Sequence, residues 1–228
     1  MKNKNCFSTS ISEFNSFSAN FIKNKLQAID KKKINIALSG GSTPLPILKL
    51  LKDFNLDWSS YNFFLVDERF VDIDSSESNF KNINEHFFKF ISSKSFSILQ
   101  ENCTLDEIVN SYSDQIKKNV AFSATNLPKF DMIILGMGTD GHTASLFPDS
   151  EALQEKDKFI VKNYISQLDS HRITLTFPTL QNCDEVIVLI NGSEKEKIFK
   201  EVINKRGNQY PISQLLNANI NWIIGTLE

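Results

Sequence analysis

The stretch Ile34-Asn-Ile-Ala-Leu-Ser-Gly-Gly-Ser-Thr-Pro-Leu-Pro-Ile-Leu-Lys-Leu-Leu-Lys52 decides the fold class. Ile34–Leu38 is an apolar run of strand length. Ser39–Thr43 is a short glycine-containing turn, and Pro44 stands just inside the first turn of the following segment, where a helix tolerates proline well. A strand that runs straight into a helix is half of a βαβ unit. If the pattern repeats along the chain, the fold is α/β.

It does repeat. Seven further runs read as strands: Asn62–Val66, Phe96–Leu99, Asp131–Leu135, Phe159–Asn163, Ile173–Thr176, Val186–Ile190 and Trp222–Ile224. Ile11, Phe14, Phe17, Phe21, Ile22, Leu26 and Ile29 follow the three-to-four spacing of a long amphipathic helix before the first strand. Asn79–Ile91, Leu105–Asn119 and Ser193–Asn204 are further helices, the last with Ser193 as its cap and Glu196 three residues later. The expectation is one domain over residues 1–228, a Rossmann-like open, mostly parallel sheet with helices on both faces. In such sheets ligands bind beyond the carboxyl ends of the strands.

Composition narrows the function. The chain has 228 residues, and its 41% hydrophobic and 23% charged residues are ordinary for a globular protein. With 25 basic against 27 acidic residues and no basic stripe, a nucleic-acid partner is not expected. The opening MKNKNCFSTSISEF has no apolar core of signal-peptide type. No window approaches the roughly 18 apolar residues of a membrane span, so the expected location is the cytoplasm. Cys6, Cys103 and Cys183 are too far apart for a zinc knuckle and too few for a disulfide framework. Only Arg69, Arg172 and Arg206 are arginines. An arginine inside a motif therefore draws notice, because its fork suits phosphate and carboxylate as lysine does not.

Three loops fall at the carboxyl ends of strands. In the first, Gly40 and Gly41 let the backbone approach a ligand, Ser42 and Thr43 add hydroxyls, and the next helix offers its first N–H groups to an anion. Read alone, this is equally a capped helix start. It lacks the Gly-Lys-Ser/Thr ending of a nucleotide P-loop. The second loop is Val66-Asp-Glu-Arg69, three charged residues after an apolar run; a solvated loop is the plain alternative. The third runs from Gly136 to Pro148 as Gly-Met-Gly-Thr-Asp-Gly-His-Thr-Ala-Ser-Leu-Phe-Pro. Its glycines satisfy GxGxxG, but Pro148 cuts any helix short, and the next strand ends without the acid that would hold a ribose.

The third loop is better explained as a frame that presents Asp140 and His142. Histidine suits proton transfer near neutrality, and a carboxylate two residues away can orient its ring. His86 and His171 lack such a setting and read as structural or exposed. Ser145 nearby raises a Ser-His-Asp triad, which the missing G-x-S-x-G elbow argues against. Further on, Arg172 heads a strand, and Lys195 lies in the first turn of a helix against the preference set by the helix dipole. An anion between them would make that placement understandable.

Together, Ser39-Gly-Gly-Ser-Thr-Pro44, Val66-Asp-Glu-Arg69, Ser78-Asn79, the run from Phe130 to Pro148, Arg172-Ile-Thr-Leu-Thr176 and Gly192-x-x-Lys195 resemble the 6-phosphogluconolactonase family. The likeness spans roughly positions 36 to 197. It implies hydrolysis of 6-phospho-D-glucono-1,5-lactone in the oxidative pentose phosphate pathway, with no metal or organic cofactor. The partner it implies is the small sugar-phosphate lactone, with no nucleic acid or membrane, in a monomer or weak homodimer. By motif, His142 would be the base, with Asp140 and Arg69 beside it. Gly40, Gly41, Ser42, Thr43, Asp67, Glu68, Arg172 and Lys195 would bind substrate or phosphate.

The related glucosamine-6-phosphate deaminases carry an Asn-Glu-Pro segment after the histidine and tyrosine after Asp-Glu. This chain has Ser145-Leu-Phe-Pro148 and Arg69 there, which favours the lactonase. A non-catalytic sugar-phosphate sensor would usually carry a helix-turn-helix before this domain, and only about one helix precedes Ile34. Near the C-terminus Trp222 is kept, without the acidic residue and alanine that commonly follow it.

Overall fold

The computed structural model describes residues 4–204 and 206–226. Its ten strands, in chain order, are β1 (Lys4–Ser10), β2 (Ile34–Leu38), β3 (Tyr61–Leu65), β4 (Asp67–Arg69), β5 (Lys94–Ser95), β6 (Met132–Gly136), β7 (Ile160–Ile165), β8 (Ser170–Leu175), β9 (Glu185–Asn191) and β10 (Ile220–Thr226). The helices are α1 (Phe14–Gln27), α2 (Pro44–Leu51), α3 (Asn79–His86), α4 (Leu105–Asn119), α5 (Phe177–Gln181) and α6 (Ser193–Ile203). Seven strands form one sheet in the order β1-β10-β9-β6-β2-β3-β5. Every pairing in it is parallel.

Burial explains the strands. All five residues of β2 and of β3 are buried, the signature of strands covered on both faces. Phe64 stacks on Phe96 with ring centroids 4.4 Å apart, and Phe130 meets its edge at 5.5 Å. A fully buried Phe of this kind contributes about 3–5 kcal/mol relative to alanine. On the helices, α1 turns Phe14, Ser18, Ile22 and Leu26 inward at four-residue spacing. In α4, Thr104 and Glu107 form a reciprocal capping box that fixes its first turn.

The order places a switch point between β2 and β6. After β2 the chain moves outward through β3 to β5; after β6 it moves the other way through β9 to β10. Crevices that bind ligands form where the winding reverses in this manner. The loops that follow β2 and β6 are the two glycine-bearing loops identified above.

Several expectations are corrected. Asp67–Arg69 is strand β4, not a loop, and it leaves the main sheet after Val66 to pair antiparallel with β8. With β7, these strands make a separate three-stranded antiparallel sheet. The run Phe96–Leu99 is irregular: only Lys94 and Ser95 pair with β3, and Ile98 and Leu99 are buried without a ladder. The helix expected to reach Ile91 stops at His86, because Phe87 leaves helical geometry (φ −138°, ψ −65°). The first helix begins at Phe14 rather than Ile11, since residues 4–10 are an edge strand beside β10. Gly192, not Ser193, is the residue that caps α6, and Ser193 is already helical.

Candidate active site

A cavity of about 400 Å³ opens at the switch point, within the usual range for small-molecule sites. Its walls come from the loops after β2 and β6 and from β4, β8 and α6. Ser39, Gly40, Gly41, Ser42 and Thr43 follow β2. Asp67 and Arg69 lie on β4, His142 and Phe147 on the loop after β6, Arg172 on β8 and Lys195 in the first turn of α6.

The loop that carries His142 is held by its own hydrogen bonds and by the small sheet. Gly138 N–H donates to His142 C=O at 2.9 Å, and the Thr143 hydroxyl donates to Gly136 C=O at 2.9 Å. From β7, Asn163 Nδ2 donates to Ser145 C=O at 2.8 Å; on β8, Thr174 Oγ1 accepts from Ser145 N–H at 3.3 Å. The C-terminal segment closes the other side, with Ile212 N–H donating to Gly141 C=O at 3.0 Å. So the departures after Trp222 leave β10 intact, and Pro211–Asn217 packs as a 3₁₀ segment that supports the loop.

Within this frame His142 Nδ1 lies 2.6 Å from Asp140 Oδ1, which also accepts from His142 N–H at 3.1 Å. Burial pushes the Asp140 carboxyl up, but the hydrogen bonds and charge of His142 outweigh it and hold the group below the ordinary aspartate value. Asp140 is thus ionised at neutral pH and can only accept. In the neutral ring Nδ1 must therefore carry the proton, which puts the lone pair on Nε2. The His142 side chain is 29% exposed and lines the cavity.

Asp67 and Arg69 share one face of β4, and Glu68 turns the other way, as alternation along a strand requires. Asp67 Oδ2 accepts from Ser145 Oγ at 2.6 Å, which commits the serine hydroxyl away from His142 and removes the Ser-His-Asp triad. Glu68, expected to bind substrate, is corrected. It is fully buried outside the cavity, accepting from Arg69 N–H at 2.8 Å, Asn79 N–H at 2.7 Å, Phe80 N–H at 2.7 Å and Ser78 Oγ at 3.2 Å. Burial pushes its carboxyl up against these donors. It pins the N-terminus of α3 to β4, and so brings Asn79 to the cavity wall, where Nδ2 donates to Asp67 C=O at 3.1 Å. A Cβ on Gly40 would lie 2.1 Å from Asn79 Oδ1, so the β2 loop can approach α3 only with glycine at that position.

Arg69 and Arg172 are direct partners in the antiparallel β4–β8 register and project from the same face. Like charges opposite one another are unfavourable. Each has a buried Nε with no hydrogen-bond partner, although Arg69 Nη1 donates to Glu77 C=O at 2.5 Å. Burial, and then the charge of Arg69, hold Arg172 below the ordinary arginine value. Lys195 Nζ reaches Thr43 Oγ1 at 3.4 Å, and burial lowers its ammonium below the usual lysine value. Among the described residues Lys195 has no carboxylate partner. Ser39 Oγ, 5% exposed at the cavity, also lacks a partner. Three cations and an orphan hydroxyl border one space, an arrangement whose chemistry can hold a small anion.

Sequence reasoning named neither Asn79 nor Phe147 as site residues, although both lie in stretches it had singled out. Leu168, half exposed at the tip of the β7–β8 hairpin, also lines the mouth and carried no sequence signal. Among the described residues no group of three or more His, Cys, Asp or Glu side chains is placed to hold a metal ion. No described helix is long and apolar enough to cross a membrane.

Comparison with known proteins agrees with this architecture. The chain is 36% identical over 222 residues to a 6-phosphogluconolactonase of Chlamydia pneumoniae, covering 91% of this chain and 81% of that one. It is 36% identical over 186 residues to a 6-phosphogluconolactonase of Thermotoga maritima, covering 80% and 81%. The crystal structure of 6-phosphogluconolactonase from Thermotoga maritima superposes with a TM-score of 0.87 at 28% identity, over 98% of this chain and 100% of that one. The family model for glucosamine-6-phosphate isomerases/6-phosphogluconolactonase matches residues 11–224, and the chain belongs to that family.

Proposed function

We propose that this chain hydrolyses 6-phospho-D-glucono-1,5-lactone to 6-phosphogluconate, using water activated by His142. The observation that carries the mechanism is the short contact from His142 Nδ1 to Asp140 beside a cationic cavity, which in the neutral ring puts the lone pair on Nε2. The names borne by relatives that are 36% identical support lactone hydrolysis over the isomerase branch of the family.

In this reading Nε2 takes a proton as water oxygen bonds to the lactone carbonyl carbon. The carbonyl electrons move onto oxygen, where the Arg69 guanidinium offsets the developing charge. The tetrahedral intermediate then collapses, the bond from that carbon to the ring oxygen breaks, and the ring oxygen takes the proton back from Nε2. The free acid ionises to carboxylate. The phosphate lies against the Gly41-Ser42-Thr43 loop, Lys195 and Arg172, and this fixes the ring relative to Nε2. Asp67 is held by Ser145 within reach of a sugar hydroxyl, and Glu68 takes no direct part.

His142→Ala tests the mechanism. A positioned general base contributes about 10²–10⁴-fold, and turnover should fall by that factor with 6-phosphogluconate affinity retained. The assay follows acid release from freshly prepared lactone, above its spontaneous hydrolysis. Near-normal turnover in that variant removes His142 from the mechanism.

A further inference from the structure

A hydrogen bond to Nδ1 fixes one point of an imidazole but leaves the plane of the ring free to swing about that point. In this chain the plane is fixed as well. The ring of Phe147 stacks on that of His142, with centroids 3.9 Å apart and planes inclined by 20°. The Nδ1–Cε1 bond lies so close to Gly138 that a Cβ there would come within 2.2 Å of both atoms. Phe147 is itself anchored through its backbone, its C=O accepting from Ser150 Oγ at 2.8 Å and from Ser150 N–H at 3.2 Å.

We propose that Phe147 is a positioning residue: its ring fixes the plane of the His142 imidazole, so that Nε2 points at the reacting carbon throughout the cycle. The proposal rests on the reading of His142 as the base. The chemistry behind it is simple. Proton transfer from water needs the Nε2 lone pair aligned within a narrow cone, and an imidazole that is only hinged at Nδ1 samples that alignment part of the time. A flat aromatic face against the ring restricts the swing without offering a competing hydrogen bond. Asp140 sets the tautomer, and Phe147 sets the plane.

Phe147→Leu keeps apolar bulk and removes the flat face. Turnover should fall by about ten-fold, because small misalignment of a reacting group is costly, and the Kd for 6-phosphogluconate should stay as in the parent. Phe147→Tyr and Phe147→Trp restore the face and should recover turnover relative to the leucine variant. A second readout does not depend on activity. The chain contains only His86, His142 and His171, so ¹⁵N imidazole spectra assign readily, with His142→Ala identifying the signal of interest.

In the parent, the His142 nitrogens should appear as a resolved pair, one protonated and one with a lone pair. In the leucine variant both signals should broaden while staying a resolved pair, because Asp140 still sets the tautomer. Parental turnover together with a parental spectrum in Phe147→Leu overturns the proposal. So does a loss of 6-phosphogluconate affinity equal to the loss of turnover, which would make Phe147 a substrate wall only. If Phe147→Leu fails to fold, equal turnover and spectra across the parent, tyrosine and tryptophan variants uphold the requirement for a flat ring, and loss in both overturns it. If the parent does not hydrolyse the lactone, the functional reading falls while the spectra still decide whether Phe147 holds the ring.

Discussion

At Gly138 one added methyl group should damage catalysis and spare the fold. Its backbone is not in the left-handed region, so alanine brings no conformational strain there. A Cβ would lie 2.2 Å from His142 Cε1 and Nδ1 and 2.7 Å from Asp140 Oδ1, whereas ordinary contact begins near 3.4 Å. The imidazole must therefore retreat by about 1 Å, carrying Nε2 with it and stretching the bond to Asp140. Displacement of a reacting group on that scale costs on the order of 10²-fold in rate, about 2.7 kcal/mol of transition-state stabilisation. Gly138→Ala should thus lower kcat/KM for fresh lactone by about 10²-fold, with 6-phosphogluconate affinity and the urea unfolding midpoint unchanged. The decisive control is the same substitution in the His142→Ala background, where only the Asp140 carboxylate remains to shift, no base is left to misplace, and no further loss is expected. A rate within a few-fold of the parent in Gly138→Ala would refute the steric argument. A full loss that persists without His142 would refute its assignment to the imidazole.

Two further outcomes follow from the cavity and its support. Burial already lowers the Lys195 ammonium, so its charge is present well below that value and is lost as pH rises through it, earlier than for a surface lysine. Binding of 6-phosphogluconate, followed by calorimetry because the product survives alkali, should weaken through that alkaline range. Lys195→Arg should move the decline to higher pH, and an unmoved profile would remove Lys195 from the anion site. Glu68→Gln should cost about 1–3 kcal/mol of stability, because its amide group would face donors now satisfied by carboxylate oxygen. Equal urea midpoints and slopes for the two proteins would show that these contacts do not hold α3.

Which features were legible in the sequence follows from how each element is stabilised. β2, β3, β6 and β9 are covered on both faces, and that coverage writes itself as a nearly continuous apolar run, interrupted within β2 and β3 only by Asn35 and Asn62. β1 carries no such mark. It is an edge strand with no fully buried residue over positions 5–10, and its backbone pairing with β10, more than 200 residues away, is what makes it a strand. β4 is the more instructive miss. Three charged residues in a row look like a solvated loop, and only the ladder supplied by β8 makes them extended. Yet alternation along a strand would have put Asp67 with Arg69 and turned Glu68 away, had that local conformation been known. The donors that Glu68 satisfies come from Ser78, Asn79 and Phe80, and nothing local to Glu68 announces that they converge on it.

The arginine-poor composition acquires a physical meaning at the site. Two of the chain's three arginines, Arg69 and Arg172, face each other across β4 and β8, and a partly buried lysine stands at the same cavity. Such an arrangement opposes folding: like charges are held together, two buried Nε groups lack partners, and Asp67 offsets only part of the charge felt by Arg172. A chain that could meet its stability needs elsewhere has no structural reason to keep it. Under the proposed function, a dianionic phosphate at one end of the ligand and an oxyanion developing at the other would supply the missing partners at both places. In the proposed reading His142 is the base within this positive charge, which arranges the substrate while Asp140, Gly138 and Phe147 arrange the imidazole.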